Sequence, residues 1–397
     1  MPTTDFDRNA PLPGPPDPWE STSAPSPRSG PPYHMTDMIA AEPALAERLL
    51  GRLAVPDGDV ARLVATIREV ARAGDPIVVT GCGTSEHGAL GVAEILAEAM
   101  ADAGMAGPRP VAGQAFELAL DPPSRGLVIG ISHEGGTAAT NRALEAARAA
   151  GARTAIVTVS ERSPGAALAD VVVTTGELDQ SWCHTVGYVS PLLAATAIGA
   201  ALRGEAAADA GIRRLMADGA RDAASAGAMA ATLANARHLI VIASGADRTA
   251  GRELTLKIEE AAWIPTAYRD LETFLHGHLP ATDETTGLVL ILADRRSRED
   301  RSVRARQALA AANALGVRCA AIVSADASGG LEPGSTRAGR LVVPVAPSLP
   351  ATVAALLGTA TALQLLTERI ARARGTNPDP IRRDDPRYLA AAAQSDG

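Results

Sequence analysis

The stretch Val78-Val-Thr-Gly-Cys-Gly-Thr-Ser-Glu-His87 decides the fold. Pro76 to Thr80 is a short apolar, partly β-branched run, which marks a buried strand. Gly81 and Gly83 permit a tight turn, Thr84 and Ser85 suit a helix N-cap, and an Ala/Leu-rich run continues to Met100. A strand, a glycine turn, hydroxyls and a helix start make either an anion site or an ordinary capped turn. Free N–H groups and the positive helix end favour a negative charge above the strand.

Working outward, the 397 residues allow two or more domains at about 150 residues each. Hydrophobic residues make up 46% but aromatics only 3%, so the core is built from Ala, Val, Leu and Ile. A net charge of −8 argues against nucleic-acid binding through phosphate neutralisation. Cys82, Cys183 and Cys319 lie far apart, without CxxC or Cys/His ligand spacing, so no metal site and no disulfide framework are expected. With no charge-free run of 18 apolar residues and no signal-peptide core, the chain reads as soluble and cytoplasmic, without a membrane partner.

Residues 1–32 are rich in Pro, Ser and Gly and read as a disordered leader. Helical spacing covers 35–53 and 59–73. Strands are expected at 76–80, 127–131, 154–159 and 171–174, and helices at 84–103, 138–150 and 191–202. The pattern then restarts with strands at 238–243, 287–293, 318–323 and 341–345 and helices at 252–262, 303–315 and 351–373. Matching Gly83 to Gly245, Gly126 to Gly287 and Gly151 to Gly316 gives offsets of 162, 161 and 165. The near-constant offset predicts two tandem doubly wound parallel-sheet domains related by internal duplication. The expected boundaries are 33–215 and 216–374, with a tail at 375–397.

The chain resembles the SIS (sugar isomerase) family over roughly 35–390, and more narrowly the isomerase half of glutamine–fructose-6-phosphate aminotransferase and its stand-alone relatives. Cys82-Gly-Thr-Ser85 matches the family's CGTS turn, and Ser132-His-Glu-Gly-Gly-Thr137 sits where the family has SQSGET. The most specific match is Glu253-Leu-Thr-Leu-Lys-Ile-Glu-Glu260 followed by His276-Gly277, which parallels E-G-A-L-K-L-K-E and H-G at the same separation.

Moving a carbonyl between C1 and C2 of a sugar needs a base that passes one proton between adjacent carbons, and ring opening needs an acid at the ring oxygen. The resemblance implies that Glu260 is the base and His276 the ring-opening residue. It implies that His276 comes from a neighbouring subunit, hence a homodimer with a shared active site. Glu253 and Lys257 are either charge partners that tune Glu260 or an i,i+4 helix pair worth a few tenths of a kcal/mol. His278, beside His276, is easily confused with it. The candidate substrate-binding residues are Cys82, Gly83, Thr84, Ser85, Ser132, His133, Glu134, Gly135, Thr137 and Thr185, for a hexose or amino-sugar (phosphate) ligand. No cofactor is required for such chemistry.

Three departures qualify the resemblance. Glu134 replaces a serine of the phosphate loop, where a carboxylate repels a phosphate dianion unless His133 as imidazolium offsets it. Ala391 stands at the family's catalytic lysine, within a tail, residues 385–393, that resembles the family's D-x-P-R-N-L-A-K ending. No cysteine precedes position 82, so ammonia from glutamine is not expected. The reading is aldose–ketose isomerisation or amino-sugar deamination, independent of glutamine; the alternative is a non-catalytic sugar sensor.

Overall fold

The computed structural model describes residues 6–16, 19, 26 and 28–394. These divide into two compact units, one drawn from Met1–Ala24, Ala41–Asp179 and Val186–Arg213, the other from Pro25–Ala40, Gln180–Thr185 and Arg214–Gly397.

Helix α1 (His34–Leu53) contributes residues to both units. The first unit continues with α2 (Asp59–Ala73), β1 (Ile77–Gly81), α3 (Thr84–Asp102), β2 (Val111–Gln114), α4 (Ala115–Leu120) and β3 (Leu127–Ile131). It closes with α5 (Ala138–Ala150), β4 (Arg153–Thr158), β5 (Val171–Thr174) and α6 (Val186–Arg203). All strands pair in parallel, in the order β2-β1-β3-β4-β5. The central strand β3 is buried along its whole length, because helices cover both faces of the sheet. With few aromatics the helices approach closely. A Cβ added at Gly88 of α3 would lie 3.1 Å from Pro191 Cγ, and one at Gly199 of α6 would lie 3.3 Å from Ala99 Cβ. Helix α6 therefore starts before Pro191 rather than at it, and Asp179 Oδ2 accepts the Gly187 N–H in its first turn (3.1 Å).

After α7 (Asp209–Gly219), the second unit carries α8 (Ala223–Leu233), β6 (His238–Ala243), α9 (Asp247–Ala262), β7 (Thr266–Asp270), the short α10 (Leu271–Thr273) and β8 (Thr286–Leu292). There follow α11 (Arg298–Ala314), β9 (Arg318–Ser324), the short α12 (Ala325–Ser328), β10 (Gly339–Val343), α13 (Ala351–Arg374) and α14 (Pro386–Ala393). Its parallel order, β10-β9-β8-β6-β7, is the first sheet's order read from the other edge. Ile242, Phe274, Leu290, Leu309 and Val323 fill one side of this sheet. Asp379 accepts from the N–H groups of His34 and Met35 (2.8 and 2.9 Å), capping the start of α1.

The structure departs from the sequence expectations at several points. The edge strands β2 and β7 were not expected; Val-Ala-Gly-Gln and Thr-Ala-Tyr-Arg-Asp are half-exposed and carry no apolar run. Gly126 and Gly287 are not equivalent. Gly126 (φ 91) precedes β3, whereas Gly287 lies inside β8, where a Cβ would meet Leu239 Cδ2 at 2.3 Å. Gly151 and Gly316 do match, since the next N–H reaches back to Ala147 and Ala312 respectively.

Residues 6–16 of the leader are ordered against the first unit. Leu12 is only 5% exposed, its N–H donates to Glu177 Oε2 (2.9 Å), and Leu178 N–H donates to Pro13 O (2.8 Å). Two helices, Val186–Arg203 and Ala351–Arg374, are long and apolar enough to cross a membrane by length and composition. Both windows are buried within the protein, 89% and 94%, as core helices are.

Candidate active site

Glu253, Lys257 and Glu260 stand at i, i+4 and i+7 of α9, which places all three on one helical face. Glu253 and Lys257 are fully buried and the Glu260 side chain is 21% exposed. Lys257 Nζ lies 2.5 Å from Glu260 Oε2 and 3.7 Å from Glu253 Oε1. Burial works to lower the lysine's pKa, but Glu260, Cys183 and Glu253 outweigh it and the net shift is upward. Lys257 is therefore an ammonium and not a Schiff-base nucleophile. Its burial excludes the solvent-exposed helix pair considered from spacing.

Cys183 completes the cluster from the segment Gln180–Thr185, with its thiol hydrogen-bonded to Glu260. Burial and the neighbouring carboxylates push the thiol well up, so it is a neutral donor. The exposed edge of Glu260 opens into a cavity of about 390 Å³, lined also by Glu259, Trp263, Ile264, Pro265, Ile381, Arg382 and Tyr388. Sequence reasoning missed Cys183, Trp263, Arg382 and Tyr388 as site residues. Of these, only Tyr388 lay in a quoted motif.

His276 does not line this cavity. Its side chain is 68% exposed, Nε2 lies 2.6 Å from Glu272 Oε1, and Arg304 also pairs with Glu272. His278 is held differently, its Nδ1 accepting from Arg269 Nε (3.1 Å).

In the first unit the β1–α3 turn is tight; a Cβ at Gly81 would lie 2.6 Å from Ser85 O. The N-cap is Gly83 (φ 57), not a hydroxyl residue, and no side chain caps the helix. The N–H groups of Ser85 and Glu86 turn onto the carbonyls of Cys82 and Gly83 (3.0 and 2.9 Å). Burial raises the pKa of Cys82, against a hydrogen bond from Thr140 (3.7 Å).

In the second loop, Ser132 is 1% exposed and its Oγ accepts from Gly135 N–H (3.1 Å), while Thr137 is exposed at the start of α5. A Cβ at Gly135 (φ 70) would overlap Ser163 Oγ. His133 Nε2 accepts from Asp179 N–H (2.9 Å), so that nitrogen carries no proton. As an imidazolium His133 would lose this hydrogen bond. Glu134 is half-buried. Thr185 is fully buried in the second unit, its carbonyl accepting from Gln364 (3.3 Å).

The corresponding turn of the second unit, Ser244-Gly245-Ala246, is filled by the chain's own carboxylate. Asp294 Oδ2 accepts from Ala246 N–H (2.9 Å) and pairs with Arg296 and Arg301 (both 2.8 Å). Asp247 beside it is fully buried, and one of its oxygens accepts the N–H groups of Ala293 and Asp294 (2.7 and 2.9 Å). Among the described residues no group of three His, Cys, Asp or Glu side chains is placed to hold a metal ion.

Two parallel five-stranded sheets of one strand order, with a buried carboxylate–ammonium–carboxylate face at the edge of the second, define a tandem doubly wound α/β protein. Residues 232–329, within the second unit, match the family model described as SIS domain. No curated protein matches it by sequence.

Among solved structures, the C-terminal domain of glucosamine-fructose-6-phosphate aminotransferase from Francisella tularensis aligns with TM-score 0.74 at 17% identity, over 89% of this chain and 99% of that one. Tagatose-6-phosphate ketose/aldose isomerase from Escherichia coli aligns with TM-score 0.69 at 16% identity, over 90% and 97%. Glucosamine-6-phosphate deaminase from Thermotoga maritima aligns with TM-score 0.56 at 15% identity, over 81% and 95%. At such identities the likeness is one of fold.

Proposed function

We propose that the protein is an enzyme acting on a hexose or amino-sugar phosphate by proton transfer between C1 and C2, as an isomerase or a deaminase. The observation that carries this reading is the position of Glu260. It is the one partly exposed member of an otherwise buried ionic face, and it opens into a cavity of about 390 Å³, large enough for a sugar. Lys257 and the Cys183 thiol orient the carboxylate, Glu253 shares the lysine, and the exposed edge of Glu260 meets the carbon-bound proton. The fold shared with phosphosugar isomerases and a deaminase supports the substrate class.

In this reading His276 opens the sugar ring from a partner subunit, and Thr84, Ser85, Ser132 and Thr137 mark the anion site. The wild-type chain, incubated in deuterated water with fructose 6-phosphate or glucosamine 6-phosphate, incorporates deuterium at C1 or C2, and Glu260→Gln abolishes the incorporation. Mixing Glu260→Gln with His276→Ala restores part of the exchange if the site is shared between subunits. A wild-type chain that binds sugar phosphates tightly without any exchange favours the sensor, a reading supported by Ala391 and Glu134.

A further inference from the structure

The cavity beside Glu260 contains a cation that the proton-transfer reading does not use. The guanidinium of Arg382 is flanked by two rings, its Cζ lying 4.4 Å from the centroid of Trp263 and 4.0 Å from that of Tyr388. All three residues line the cavity. No hydrogen-bond acceptor for Arg382 is present among the described residues. The nearby Asp385 is engaged by Arg387 through its N–H, Nε and terminal nitrogen (2.9, 3.1 and 2.7 Å). Among the described residues this cation, fixed by aromatic stacking, thus has the charge of Asp385 nearby but no hydrogen-bond acceptor.

The backbone is strained to hold this arrangement. Five non-glycine residues among those described have positive φ, and three of them, Trp263 (56), Ile381 (43) and Arg382 (65), line this one cavity. A β-branched isoleucine there is costly, and such strain persists where surrounding structure imposes it, commonly at ligand sites. Trp263 Nε1 is likewise buried without a partner. Of the two carboxylates that also line the cavity, Glu260 pairs with Lys257, which Glu253 shares, and Glu259 accepts from Thr266 N–H (3.0 Å).

We propose that Arg382 is an anion-binding residue, and that this cavity takes a polyhydroxy ligand bearing an oxyanion, carboxylate or phosphate, whose carbon face lies on Trp263 and Tyr388. The guanidinium fork grips the oxyanion, the rings cover the C–H face, and the carboxylates of Glu259 and Glu260 accept from hydroxyls. The site does not depend on proton transfer by Glu260.

The test follows the indole N–H resonance of Trp263, assigned with Trp263→Phe, as full-length protein is titrated with gluconate, sorbitol 6-phosphate and uncharged sorbitol. Gluconate or sorbitol 6-phosphate shifts the resonance and sorbitol does not; which of the two binds tighter identifies the oxyanion. Arg382→Met weakens the binding by about tenfold or more, the loss expected for a charge-assisted hydrogen bond, and Arg382→Lys retains part of it. Isotope exchange is followed in the same wild-type samples: its absence would sink the catalytic reading, while an anion-dependent shift of Trp263 would leave this one standing. An unmoved Trp263 resonance with both anions overturns the proposal, as does equal binding of sorbitol. So does an Arg382→Met or Arg382→Lys chain that is folded, less heat-stable and undiminished in affinity, since Arg382 would then only fasten the tail.

Discussion

Lys257 Nζ lies between two carboxylates of its own helix, 2.5 Å from Glu260 and 3.7 Å from Glu253, and has no exposure to solvent. Such a lysine cannot be removed cheaply, because Glu253 and Glu260 would then lose the ammonium they share. Lys257→Met is expected to destabilise the protein by about 3–5 kcal/mol, the usual result of breaking a buried pair from one side. Glu253→Gln with Lys257→Met should recover much of that loss. Urea unfolding of the two variants checks this; equal midpoints for Lys257→Met and wild type would mean that the pair contributes nothing.

Asp247 supplies a stability term of unusual sign. Burial, with Asp294 adding to it, pushes its pKa up from 3.8 to about 6, against the N–H groups of Asp294 and Ala293 and the charge of Arg301. Between those values the folded chain holds the proton more tightly than the unfolded chain. Stability from this group is greatest at low pH and falls as pH rises through 6, by roughly 3 kcal/mol in all. Asp247→Asn keeps an oxygen for the two N–H donors and removes the titration. The stability of the variant relative to wild type should therefore rise between pH 4 and pH 6 and then level off, as read from unfolding curves across that range.

Much of the fold was legible because most of its strands are buried. β3 and β8 are buried from end to end, and their apolar runs cannot pass for loops. β2 and β7 sit at sheet edges, one face wet, and their polar sequences carry no such mark. The face formed by Glu253, Lys257 and Glu260 could be read from spacing on a single helix. Cys183 and Arg382 join it only through the fold, from a loop and from a tail turn without periodicity. The hydroxyls at 84 and 85 misled as caps because Gly83, at positive φ, takes the capping position itself.

Asp294 behaves as a built-in anion in the second unit's turn. Its burial opposes ionisation, but hydrogen bonds from Arg296 and Ala246 hold its pKa below the usual carboxylate range. Asp294→Ala would leave Arg296, Arg301 and the Ala246 N–H facing a space the size of a carboxylate. The variant should lose about 3 kcal/mol or more in an anion-free buffer. Inorganic phosphate should restore part of that loss, since a ligand bound only by the folded state raises its stability. Calorimetry with and without phosphate decides the matter: a variant no more responsive to phosphate than wild type shows that the turn cannot accept an external anion.

Residues 6–16 are held by main-chain hydrogen bonds and the single buried Leu12 rather than by a periodic apolar face, which is why composition concealed them. Glu177 receives the Leu12 N–H together with Arg48 and Arg52, and although burial opposes it, these partners hold its pKa below normal. A depressed carboxyl contributes stability above its unfolded pKa and loses it as pH falls through the folded value. Leu12→Ala removes the buried side chain without touching that network. It should cost about 1–3 kcal/mol and increase cleavage between residues 6 and 16 by an added protease. Removing residues 1–16 should cost more, because Glu177 and Leu178 each lose a backbone partner. The loss on truncation should shrink as the pH is lowered and Glu177 takes up its proton. Unchanged unfolding midpoints for both chains would mean that the segment only rests on the first unit.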